Sequence, residues 1–159
     1  MKPYYQDDAV TIYHGDCREI LPQLEPVDLV LTDPPYGVLL SGKAAKQRDG
    51  TTAKRSDTYT SFIDSPEYVA EVVISVIQKF INSGIRVVIT PGVPAMWCYP
   101  KPSDVGCFFS AAGTGRTSWG FSCHIPILYY GKDPYLARGL GGMPNSHGQT
   151  YPNDANQYD

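Results

Sequence analysis

The sequence predicts an α/β fold in which parallel strands are joined by a helical crossover. Three observations carry that expectation. The runs Asp28-Leu29-Val30-Leu31-Thr32 and Ile85-Arg86-Val87-Val88-Ile89-Thr90 are short and almost wholly apolar, which suits strands covered on both faces. Between them, Val69, Val72, Val73, Val76, Ile77 and Phe80 recur at three- and four-residue steps and make one helical stripe. Each run ends in a segment that cannot continue a ladder, Asp33-Pro34-Pro35 after the first and Pro91-Gly92 after the second. The chain has 159 residues, 42% of them hydrophobic and 18% charged, which is enough for one domain with a buried core. Its 15 glycines and 14 prolines exceed average usage and predict many loops.

The elements follow in order. Residues 9–14, Ala-Val-Thr-Ile-Tyr-His, are β-branched or aromatic and read as a strand. Gly15-Asp16 breaks it. A short helix is expected over 17–24, with Asp16 as N-cap, Glu19 at the third position of a capping box, and Pro22 limiting its length. The apolar run 28–32 follows. Residues 37–60 show no period and are rich in Gly, Ser and Thr. Loops of that length are commonly functional or disordered. Ser65-Pro66-Glu67 then supplies a cap, a first-turn proline and an acid for the helix that carries the valine stripe, and Gly84 closes it. The run 85–90 completes the order strand, helix, strand, loop, helix, strand, the unit of a sheet with right-handed crossovers. Beyond it the pattern loosens. Met96 to Pro100 is aromatic and irregular, 113–116 reads as a turn, and 123–130 reads as a strand placed near a sheet edge by Pro126. No element is expected from 139 onward.

Composition excludes several classes. The formal net charge is -3, so nucleic acid would have to be held by a local patch. Cys17, Cys98, Cys107 and Cys123 show no C-x2-C spacing and no nearby pair of histidines, which argues against a zinc finger or ribbon, and no metal ligand is expected. The N-terminus lacks an apolar secretory core, and no run approaches the length that spans a bilayer. A reducing cytoplasm with free thiols, and no membrane contact, is the expected setting.

The sharpest chemical feature is Asp33-Pro34-Pro35-Tyr36 at the carboxyl end of a strand, the end at which open α/β sheets bind ligands. Two prolines after an acid fix its carboxylate and the next carbonyl in place, and the aromatic that follows is positioned to stack on a flat ligand. Such a trio suits an amino group on an aromatic ring. Together with Tyr13-His14-Gly15-Asp16-Cys17 and Val27-Asp28-Leu29-Val30-Leu31-Thr32, it resembles the catalytic tetrapeptide and lead-in of the amino-group DNA methyltransferases. The likeness is strong over residues 10–37 and weaker over 66–91 and 121–133.

The resemblance implies transfer of a methyl group from S-adenosyl-L-methionine to the exocyclic nitrogen of adenine, or less often cytosine, in double-stranded DNA. The fold implied is a partial Rossmann-like methyltransferase sheet with an irregular target-recognition insert. Residues 1–91 would be the catalytic part, and 92–159 the insert with a loop-rich tail. Asp33 and the Pro34 carbonyl would accept hydrogen bonds from the amino group, Pro35 would hold the turn, and Tyr36 would stack on the flipped base. Asp16 and Cys17 match the position near the cofactor's adenine, although Asp16 serves equally as a helix cap. Lys43, Lys46, Arg48, Lys54 and Arg55 are the candidate DNA-backbone contacts, or else a solvated charged loop. Trp97, Tyr99, Lys101, Arg116 and Trp119 lie where the recognition insert would begin. For the two tryptophans, ordinary packing is the stronger expectation. His14 and His124 are expected in the core or at its rim.

One departure is plain. The family's later signature, a strand followed by Asp-Pro-Phe-x-Gly-Ser-Gly-Thr that cradles the cofactor, does not occur. The chain is therefore expected to be the N-terminal part of such an enzyme, with uncovered strand edges and a missing C-terminal half or a homodimer partner to cover them. A complete chain that has lost cofactor binding is the other reading. A non-catalytic DNA-binding or assembly remnant is the alternative function. An RNA or protein amide methyltransferase is a third, which Asp33 weighs against.

Overall fold

The structure is a computed structural model in which residues 1–38, 45–46, 52–53, 63–110, 115–142 and 144–148 are described. The chain opens with a small antiparallel hairpin, β1 (Tyr5–Gln6) against β2 (Thr11–Ile12), with Tyr5 opposite Ile12. The Asp7 carboxylate closes its turn by accepting the Ala9 and Val10 amides. That turn corrects the expectation for 9–14. The strand is two residues long, exposed, and folded back on β1 instead of joining the main sheet.

Helix α1 (Cys17–Ile20) then runs into a 3-10 turn at Leu21–Gln23, where Pro22 ends the α-helical bonding. Strand β3 (Leu29–Thr32) follows. Within the long basic segment, β4 (Ala45–Lys46) and β5 (Thr52–Ala53) form a two-residue antiparallel pair.

The crossover helix begins at α2 (Pro66–Tyr68), where the Ser65 hydroxyl accepts the Tyr68 amide at 3.1 Å. It widens into a π-helical stretch at Val69–Val73 and continues as α3 (Ile74–Asn82). Gly84, with φ +75°, terminates it: its amide returns to Ile81 and that of Ile85 returns to Phe80. Strand β6 (Arg86–Ile89) then lies parallel to β3 in the register Leu29–Arg86 through Thr32–Ile89.

The second half adds α4 (Gly92–Ala95), a 3-10 turn at Met96–Cys98, β7 (Asp104–Phe109), a hairpin of β8 (Gly115–Thr117) with β9 (Gly120–Ser122), β10 (His124–Tyr130), α5 (Pro134–Ala137) and β11 (His147–Gly148). The molecule is a mixed α/β structure on a five-stranded sheet of order β11-β7-β10-β6-β3. The parallel expectation holds for β3 with β6. Strand β10 is antiparallel to β6 and to β7, so the sheet as a whole is mixed. The core gathers Val69, Ile77, Val87, Ile89, Leu128 and Tyr130 between helix and sheet.

Four further expectations are corrected. Strand β3 stands at the sheet edge instead of inside it, and Leu31 is 73% exposed. Strand β10 is internal despite Pro126. Tyr129 turns its carbonyl toward the β7 side, where it accepts the Ser103 amide, so by alternation Pro126 presents its missing donor toward β6. Pairing with β6 ends at Leu128, and no ladder bond is lost there. Gly115 and Arg116 belong to β8, not to a turn. Order also continues past residue 139. Asn145 Nδ2 donates to Asp104 and to the Val105 carbonyl, and the Tyr129 hydroxyl donates to the Asn145 carbonyl, which seats β11 beside β7.

Candidate functional site

The site is built by the β3–β6 register. Thr32 and Ile89 are the last paired residues, and the Thr90 amide extends the ladder by one bond to the Thr32 carbonyl, 3.2 Å. Asp33 and Thr90 therefore leave the sheet side by side. The Thr90 hydroxyl donates to Asp33 Oδ1 at 2.6 Å. The Tyr36 hydroxyl donates to the same oxygen at 2.6 Å, across the Pro34-Pro35 turn. Two hydroxyls thus converge on one oxygen of an exposed carboxylate, and among the described residues none bonds Oδ2. A carboxylate held this way is an oriented acceptor for an N–H donor.

Tyr36 is fixed at both ends. Its ring lies over Gly92, so closely that a Cβ there would stand 2.6 Å from Cγ. Burial first, and the bond to Asp33 second, push its phenol up to about 12. It is therefore a neutral donor throughout the physiological range. One contact ties this turn to the crossover helix. The Gly37 amide donates to Asp64 Oδ1 at 2.7 Å, and Asp64 is 2% exposed just ahead of the Ser65 cap.

Asp16 and Cys17 sit apart from this cluster. The Asp16 carboxylate caps α1 through the Arg18 amide at 2.9 Å, and both of its oxygens accept the Arg18 guanidinium. That guanidinium holds the Asp16 carboxyl down to about 2. Asp16 caps α1 and pairs with Arg18 at the exposed surface. Cys17 lines an apolar groove of about 1040 Å³, walled by Leu21, Leu31, Val72 and Phe80 and reaching Pro34 and Pro35.

The remaining candidates are dispersed. Lys43, Arg48, Lys54 and Arg55 lie outside the described residues, and Lys46 lies on β4. Both tryptophans depart from the expectation of packing: Trp97 is 82% and Trp119 98% exposed, the second in the turn between β8 and β9. Tyr99 is instead a core residue, so it is not available to touch a base. Lys101 is exposed. His14 and His124 are exposed, His14 edge-on to Tyr4. None of the four cysteines forms a disulfide. Among the described residues no three metal-ligating side chains cluster, and no helix is long and apolar enough to cross a membrane.

Three members of the site are absent from the sequence expectation: Thr90, Gly92 and Asp64. Thr90 and Gly92 flank Pro91 at the end of a strand-like run, the same position as Asp33 at the end of the other run, and that symmetry was the available signal. Asp64 had none, because Ser65 already accounts for the helix start. Compared with protein-family models and with curated proteins, the chain matches none.

Proposed function

We propose that the chain carries the base-binding clamp of an amino-group DNA methyltransferase, with adenine preferred over cytosine. The observation behind this reading is the Asp33 carboxylate, aimed by two hydroxyls at the carboxyl end of a strand. The exocyclic nitrogen of adenine is a poor nucleophile because its lone pair is delocalised into the ring. Hydrogen bonds accepted by Asp33 and the Pro34 carbonyl would favour a pyramidal nitrogen and offset the positive charge that grows on it during transfer. Such a base must leave the duplex stack first. S-adenosyl-L-methionine would supply the methyl group.

The described residues fit that cofactor only in part. The apolar walls beside Cys17 suit a purine face, whereas Asp16, expected beside the adenine, is bonded to Arg18. No step is therefore assigned to Asp16. This favours, as a second reading, a DNA-binding or assembly module that keeps the clamp.

Methyl transfer from radiolabelled S-adenosyl-L-methionine to duplex DNA, RNA and protein, by the full chain and by Asp33→Ala, tests the assignment. Transfer to duplex DNA that falls by roughly 10²–10³-fold in Asp33→Ala, with an unchanged melting temperature, supports it. Undiminished transfer by the variant overturns it. Duplex binding without calorimetrically detectable cofactor binding selects the second reading.

A further inference from the structure

We infer that Thr90 is a positioning residue that, together with Tyr36, reserves Oδ2 of Asp33 for the substrate's amino group. This rests on the clamp reading above and adds to it the oxygen that is used. A carboxylate offers about four lone-pair positions on two oxygens. Here both intramolecular donors fall on Oδ1, each at 2.6 Å. The terminal torsion of an Asp side chain is broad, so a carboxylate without such donors would rotate freely about its bond.

The two donors differ in rigidity. Tyr36 arrives from a turn. Thr90 is β-branched, has a restricted χ1, and its backbone is locked by the ladder bond from its amide to the Thr32 carbonyl. The sheet therefore delivers the Thr90 hydroxyl at a fixed place, and the carboxylate plane follows it. Thr90 touches no reacting atom and acts only through Asp33.

The test uses Thr90→Val, which keeps the shape and removes the hydroxyl, and Thr90→Ser, which restores it. In Thr90→Val, kcat for duplex DNA is expected to fall roughly ten- to a hundredfold with KM unchanged, and Thr90→Ser is expected to recover most of it. Activity is not the only readout. Crystal structures of the two variants should show the Asp33 carboxylate turned out of the plane that the Tyr36 and Thr90 hydroxyls fix in Thr90→Val, and restored to it in Thr90→Ser. Equal losses in both variants, a change confined to KM, or an Asp33 carboxylate that keeps its orientation in Thr90→Val overturns the inference. If the wild-type chain transfers no methyl group while Thr90→Val still turns the Asp33 carboxylate, the methyltransferase reading fails and the positioning of Asp33 stands.

Discussion

Replacing Gly92 with alanine attacks the site from beneath. Two costs combine. The residue holds φ +67°, a left-handed conformation that costs an L side chain about 1–2 kcal/mol. The new methyl would also stand 2.6, 2.8 and 3.0 Å from Cγ, Cδ2 and Cδ1 of Tyr36, closer than carbon atoms can pack, so the ring must move. Overpacking of that kind costs roughly 1–3 kcal/mol. Gly84 separates the two terms, because it holds φ +75° with nothing within 4 Å of the place a Cβ would take. Gly84→Ala should therefore lose only the conformational part, about 1–2 kcal/mol. Gly92→Ala should lose about 2–5 kcal/mol, or roughly 4–20 °C of melting temperature at this chain length. Urea and thermal melts of both variants measure the difference. The Tyr36 phenol of Gly92→Ala should also titrate nearer its ordinary value of 10.0, since the ring leaves its seat and its bond to Asp33. Equal destabilisation in the two variants, with an unmoved phenol, would refute the packing of Tyr36 on Gly92.

The remaining predictions concern the same surroundings. Asp64→Ala leaves the Gly37 amide without its acceptor and should cost about 1–3 kcal/mol in a urea melt. Asp64→Asn, which keeps an acceptor oxygen, should cost less, and an Asp64→Ala melt within error of wild type would dismiss the contact. Stability should also fall at alkaline pH. Tyr36 and Tyr130 are each pushed up to about 12 from 10.0, principally by burial, and Tyr99 is raised further. Between pH 10 and 12 the unfolded chain loses these protons and the folded chain keeps them, so the stabilisation is complete below pH 10 and is lost as pH rises through 12. Phenolate absorbance should show a late group of tyrosines, whereas a single transition near 10 would contradict their burial.

Local chemistry made some of this legible in the sequence. The cap at Ser65, the stop at Gly84 and the apolar run of β6 depend on neighbours in the chain, and they were readable there. The position of β3 was not. A run of apolar residues reports that a strand wants cover, and it does not report which neighbours provide it, so Leu31 reads as buried and stands exposed at an edge. Asp7 folds Thr11 and Ile12 back on themselves, a contact that strand propensity ignores. Strand β7 mixes Asp104 and Gly106 with Phe108 and Phe109 and shows neither alternation nor a continuous apolar run; its partner β10 supplies the order. Within the site, Asp33 and Tyr36 lie close in sequence and could be paired by inspection. Thr90 lies 57 residues from Asp33, and only tertiary pairing shows that they meet.

The register of β3 on β6 has a consequence for when the site can exist. Asp33 and Thr90 are each the first residue beyond the last ladder pair, Thr32 with Ile89. A slip of one residue would shift one of them by about 3.3 Å and turn its side chain to the opposite face of the sheet. The hydroxyl and the carboxylate would then point away from each other. The Thr90–Asp33 contact therefore has no partial form. It is absent from any state in which these two strands are misaligned or apart, and it forms whole when the parallel pair closes around its crossover helix. Exchange protection of the Thr90 amide, bonded to the Thr32 carbonyl, would mark that moment on the folding pathway.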